Sequence, residues 1–138
     1  MPALGADRRG WQFVFGSLRR AGARLAGGSD WTVTTANPLL EMEVAVTRVS
    51  DARRGERPSF LPDERIGLID ALAAFTAGTA WVNHLEREVG SLEVGKAADL
   101  VVLDRDLFDR SAGAIGEARV VGTFIDGVPI FEDPALDR

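Results

Sequence analysis

The chain has 138 residues, 46% of them hydrophobic, with a formal net charge of -5, one histidine and no cysteine. This length suits one domain with a core of moderate size, and this composition excludes general disorder. The acidic balance argues against a nucleic-acid partner, no apolar run reaches the roughly 18 residues of a membrane helix, and the lack of cysteine excludes disulfides and thiolate metal sites.

The N-terminal "MPALGADRRGW" has no apolar signal core, so a cytoplasmic location is expected. Residues 11–22, "WQFVFGSLRRAG", predict a helix with Trp11, Phe13 or Val14, Leu18 and Ala21 on one face and Gly22 as its stop. "ARLA", residues 23–26, predicts a short strand, and a helix followed closely by a strand is half of an α/β unit. Asn37 can cap the next helix and Pro38 suits its first position, so "PLLEMEVAVTR" predicts a helix ending near Arg48. Residues 49–63, with charges, Gly and two prolines, predict a long surface loop.

A further helix is predicted through "LIDALAAFTAGTAWVNHLE", broken into two pieces at Gly78. "DLVVLD" predicts a strand, and its four consecutive apolar residues predict burial on both faces. Residues 105–118 are polar and irregular in pattern. The end of the chain, "RVVGTFIDGVPIFE", predicts a β-hairpin, with Asp126-Gly127 as a type I′ turn. One strand ahead of the helices cannot form a sheet alone, since its N–H and C=O groups would stay unpaired. The architecture therefore reads as α/β but incomplete.

Candidate reactive groups are few. A catalytic zinc site typically takes about three protein ligands drawn from His, Cys and carboxylates, so this chain can offer little but carboxylates. The pairs Arg19-Arg20 and Arg53-Arg54 are short, lie among acids and read as solvated surface. A carboxylate stands out at Asp30, just past "ARLAGG". From the local residues alone it reads as a turn-capping Asp or as a reactive group, with Gly27 and Gly28 allowing a sharp turn and close approach of a ligand.

"GSDWTV" (Gly28–Val33), "ALAAFTAGTA" (Ala71–Ala80), "VGSLEVGKAADLVVLD" (Val89–Asp104) and "VVGTFIDGVPIF" (Val120–Phe131) occur in this order. Together they resemble the C-terminal part of metal-dependent amidohydrolases, closest to the amidohydrolase 3 group. The resemblance runs from about Trp11 to Phe131. It implies a C-terminal fragment of a (β/α)8 TIM-like barrel plus part of a small composite β-sandwich. Residues 1–88 would hold the last barrel strand and helices, and residues 89–138 the sandwich strands. A complete barrel takes at least roughly 200 residues, so the chain is expected to be a third or a quarter of such an enzyme.

The resemblance assigns Asp30 to the family's aspartate after the last strand, a metal ligand and proton shuttle, and so to the catalytic and metal positions. It implies a divalent metal, zinc, whose histidine and bridging ligands lie outside these residues. Trp31 is the candidate for lining a substrate pocket, with packing under a loop as its alternative. Thr32 stands where the family usually has proline, which restores an N–H and loosens the loop. His84 matches no family ligand and reads as a surface or partly packed helix residue. Lys96 reads as structural, and Asp99 as a turn or strand-entry residue. The 49–63 loop would lie over the barrel mouth.

The resemblance implies a hydrolase of a non-peptide, amide-like C–N bond acting through metal-activated water, with a small-molecule substrate and no nucleic-acid or membrane partner. As an isolated chain it is expected to be inactive and to need the missing barrel part. The alternatives are a non-catalytic remnant or truncated product that self-associates as a homo-oligomer, and one subunit of a split hydrolase.

Overall fold

The computed structural model of the chain describes residues 4–50, 59–109 and 114–134. Five short helices come first: α1 (Gly5–Arg9), α2 (Phe15–Arg20), α3 (Pro38–Thr47), α4 (Leu68–Ala73) and α5 (Thr79–Val82). Three strands follow, β1 (Leu100–Leu103), β2 (Val120–Ile125) and β3 (Val128–Glu132), in one antiparallel sheet of order β1-β2-β3.

Helix α3 forms where its signals predict. The Asn37 side chain accepts from the Leu39 amide at 3.0 Å and Pro38 occupies the first turn. Its apolar residues face α4, and Met42, Ile66 and Ala71 form a small core with Leu25, Val46, Leu72, Phe75 and Ile115 packed around it. Arg48 ends the helix with φ 60° and is itself buried. Its guanidinium donates to the carbonyls of Gln12, Phe13 and Phe60 at 3.3, 3.2 and 3.0 Å.

Those bonds explain a correction. The helix expected over residues 11–22 is shortened to Phe15–Arg20, with Phe13 at φ 53°. The Phe13 carbonyl, which a helix would pair with the Ser17 amide, goes to Arg48, and the Ser17 amide goes to Glu64 Oε2 at 2.7 Å. Glu64 lies in a 3-10 turn, Pro62–Glu64, at the end of the expected loop. Residues 51–58, including Arg53 and Arg54, lie outside the described residues.

The second expected helix continues through Gly78 instead of breaking there. A π turn over Ala74–Gly78 joins α4 to α5, and the helix stops at Val82, short of the expected Glu86. "ARLA" forms no ladder, because no described strand lies beside it; it runs instead along the π turn. In the sheet, Asp126 and Gly127 take φ 51° and 76°, as a type I′ turn requires. The burial expected for β1 fails: Val101 and Val102 are exposed, since the described residues place nothing over them.

Asp99 Oδ1 accepts from the Asp126 amide at 2.8 Å, tying the entry of β1 to the hairpin turn. Lys96 Nζ donates to Ser91 Oγ at 2.6 Å and lies 3.2 Å from Glu93 Oε1, a structural arrangement as expected. No helix among the described residues is long and apolar enough to cross a membrane.

Candidate functional site

The turn that carries Asp30 is held from two sides. On the first side, the chain from Leu25 to Gly27 lies against the π turn. The Gly27 amide donates to the Ala74 carbonyl at 2.9 Å, and the Thr79 hydroxyl lies 3.0 Å from the Gly27 carbonyl and 2.8 Å from the Ala74 carbonyl. The approach is close enough to demand glycine. A Cβ on Gly27 would meet the Phe75 ring at 2.5 Å, and one on Gly78 would meet the Leu25 carbonyl oxygen at 2.0 Å.

On the second side, the Thr34 hydroxyl lies 2.8 Å from the Ser29 carbonyl and 2.7 Å from Glu41 Oε1, on α3. Within the turn, the Trp31 amide donates to Ser29 Oγ at 3.2 Å and the Val33 amide to the Asp30 carbonyl at 2.8 Å. Asp30 itself has φ 50°, a conformation that Asp tolerates better than most residues, and it is exposed. The turn thus presents a carboxylate to solvent from a backbone fixed before and after it.

Trp31 is 67% exposed among the described residues. The peptide bond from Trp31 to Thr32 is cis. His84 is exposed and follows the end of α5 with φ 60°. Among the described residues no group of three or more His, Cys, Asp or Glu side chains could hold a metal ion. Asp30 is therefore a single carboxylate ligand at most here. The donor set does not make a metal centre by itself.

A cavity of about 480 Å³ lies away from Asp30, beside Arg24 and Leu25. Most of its charged groups have partners. Arg19 Nε is 2.7 Å from Asp70 Oδ1, Lys96 is paired with Glu93, and the Arg24 guanidinium stacks 4.7 Å from the Trp81 ring.

Two elements of the turn were not anticipated. Glu41 is the first: its Oε2 is buried and has no hydrogen-bond partner among the described residues. The other is the π turn with Thr79. Neither has a periodic signature, and the one hint was Gly78 in mid-helix, which marks close backbone approach as readily as a break.

The described fold and the acidic turn at Asp30 define an α-plus-sheet segment with an exposed carboxylate. The amidohydrolase family model matches residues 2–131, and the chain belongs to that family. It is 35% identical over 129 residues to Protein LONG AFTER FAR-RED 3 of Arabidopsis thaliana, covering 93% of this chain and 21% of that protein. It is 36% identical over 120 residues to N-substituted formamide deformylase of Arthrobacter pascens, covering 87% of this chain and 21% of that protein. Among solved structures it is similar to an amidohydrolase from Thermotoga maritima MSB8, with a TM-score of 0.58 and 25% identity over 87% of this chain and 26% of that one. The chain spans about a fifth of the length of these curated relatives.

Proposed function

We propose that this chain is the C-terminal part of a hydrolase of non-peptide, amide-like C–N bonds, with Asp30 as the carboxylate it contributes to the reaction. In such a hydrolysis the oxygen of water bonds to the acyl carbon, the C–N bond breaks, and the leaving nitrogen must gain a proton. A carboxylate that takes a proton from the water and gives it to that nitrogen performs both transfers. The observation that carries this reading is the exposed Asp30 carboxylate on a turn anchored at Gly27 and at Ser29.

"ARLAGG" would then be the last strand of a barrel, paired once a neighbouring strand lies beside it, with Asp30 at its catalytic end. Trp31, exposed next to Asp30, would contact a small-molecule substrate. A divalent metal such as zinc would need its remaining ligands from outside the described residues, so no step is assigned to it. The cytoplasm is the proposed location.

The experiment is a chimera. In the N-substituted formamide deformylase of Arthrobacter pascens, this chain would replace the aligned C-terminal segment. Release of formate from an N-substituted formamide is expected. A chimera that unfolds cooperatively but turns over no faster than the host lacking the segment would overturn the reading.

A second reading is favoured by the sheet. Val101, Thr123 and Phe131 pair in one row across the three strands, and Ile125 with Val128 lies on the same face. The four apolar members of this face are exposed. A contiguous apolar face of this kind drives association. The isolated chain would then be a non-catalytic piece that self-associates, and sedimentation showing a single monomer across concentrations would contradict that.

A further inference from the structure

Both backbone polar groups of Gly27 are held by one helical segment. Its amide bonds to the Ala74 carbonyl, and its carbonyl lies within bonding distance of the Thr79 hydroxyl. In a regular α-helix each carbonyl already accepts one amide of its own ladder, and an outside donor has to share it. The π turn over Ala74–Gly78 carries one extra residue, and at such a bulge the ladder is displaced and a carbonyl can accept from outside. The Ala74 carbonyl does so. It receives the Gly27 amide on one side and the Thr79 hydroxyl on the other. Gly78, whose Cβ would meet the Leu25 carbonyl, allows the two backbones to meet at this distance, and Gly27 leaves room for the Phe75 ring.

We propose that Thr79 is a positioning residue: its hydroxyl, sharing its one proton between the carbonyls of Ala74 and Gly27, sets the plane of the Gly27–Gly28 peptide and through it the direction in which Asp30 presents its carboxylate. Its role in turnover rests on the function proposed above. The geometry it controls does not. Asp30 follows Gly27 by only two intervening residues, Gly28 and Ser29, and the Ser29 carbonyl is held from the other side by Thr34. Thr79 and Thr34 thus hold the two ends of the short path that leads into Asp30, and releasing the Gly27 end frees one of the two.

The pair Thr79→Val and Thr79→Ser separates the hydroxyl from the methyl group. Valine keeps the shape and removes the hydroxyl; serine keeps the hydroxyl and removes the methyl. NMR of the whole chain reads the Gly27 amide exchange rate and the ¹³Cγ shift of Asp30. In Thr79→Val the Gly27 amide is expected to exchange about tenfold faster, with the Asp30 ¹³Cγ signal displaced, and Thr79→Ser is expected to restore both. Unchanged signals in Thr79→Val, or an equal disturbance in Thr79→Ser, would overturn the proposal. Should Thr79→Val not fold, the unsubstituted chain decides: a protected Gly27 amide with a Thr79 hydroxyl proton close to it in NOE spectra supports the bridge. A Gly27 amide exchanging like a free peptide contradicts it. None of these readouts depends on hydrolysis, so an inactive chimera leaves them standing.

Discussion

The carboxylate of Glu43 accepts the amide proton of Gly116 at 2.7 Å across 73 residues of sequence. Glu43 lies on α3 and is 7% exposed; Gly116 lies in the 3-10 turn Ile115–Glu117, just ahead of β2. This bond joins the helical part of the chain to the segment that feeds the sheet.

Removing one partner of a buried, charge-assisted hydrogen bond leaves the other unsatisfied, at a cost of about 1–3 kcal/mol. Glu43→Ala is expected to lose stability in that range, and Glu43→Gln distinctly less, since an amide oxygen can still accept from Gly116. Urea unfolding at one fixed protein concentration measures both. Equal losses in the two variants would show that the negative charge of Glu43, not its capacity to accept this one bond, matters at this position.

Gly78 has ordinary helical angles, φ -66° and ψ -46°. On helix propensity alone, Gly78→Ala would gain about 1 kcal/mol. The Leu25 carbonyl oxygen 2.0 Å from the added Cβ reverses the sign, because it is backbone and cannot swing away. Overpacking of this kind costs about 1–3 kcal/mol or more, so a net loss is expected in the urea midpoint. A stabilised Gly78→Ala variant would refute the close approach of "ARLAGG" to the π turn.

Acid should weaken the junction between β1 and β2. The Arg105 guanidinium, then the Arg119 amide, hold the Asp104 carboxyl below the usual carboxylate range. Hydrogen bonds from the Ser17 hydroxyl and amide act in the same direction on Glu64. A carboxyl with a lower folded than unfolded pKa gives stability that is present above the unfolded value, about 4, and is lost as pH falls through the folded value. Asp104→Asn should therefore be less stable than the parent at neutral pH, with the gap narrowing as the pH drops from about 5 to 2. Thermal unfolding across pH checks this, and a gap that does not change with pH would rule it out.

Metal content offers a further check. With no group of three or more metal-ligating side chains among the described residues, the purified chain is expected to retain no stoichiometric zinc after dialysis. Tight zinc at one equivalent, lost in Asp30→Ala, would show that this chain assembles a metal site of its own.

Local signals carried most of what could be read beforehand. Asn37-Pro38 marks the start of α3, and Asp126-Gly127 marks the hairpin, because caps and I′ turns depend on residues a few positions apart. The failures are tertiary. The helix expected over residues 11–22 loses its first turns because Arg48 and Glu64, 35 and 47 residues distant, take the Phe13 carbonyl and the Ser17 amide. "ARLA" has a strand's composition but no described neighbour to pair with. Four apolar residues in β1 suggested burial, yet burial is decided by what lies across the sheet, and nothing local encodes that. Asp30 was legible as a lone carboxylate after two glycines; the grip of Thr79 and the π turn on Gly27 was not, since it joins residues 52 apart.

The central claim, that Asp30 is the reacting carboxylate this chain supplies, is tested most directly in the chimera with the Arthrobacter pascens deformylase. The measurement is kcat for formate release with Asp30 and with Asp30→Asn, which keeps the shape and removes the proton acceptor. The account predicts a fall of about 100-fold or more, the range of a general acid–base group, with the unfolding midpoint unchanged. An Asp30→Asn chimera turning over at the parent rate would contradict it.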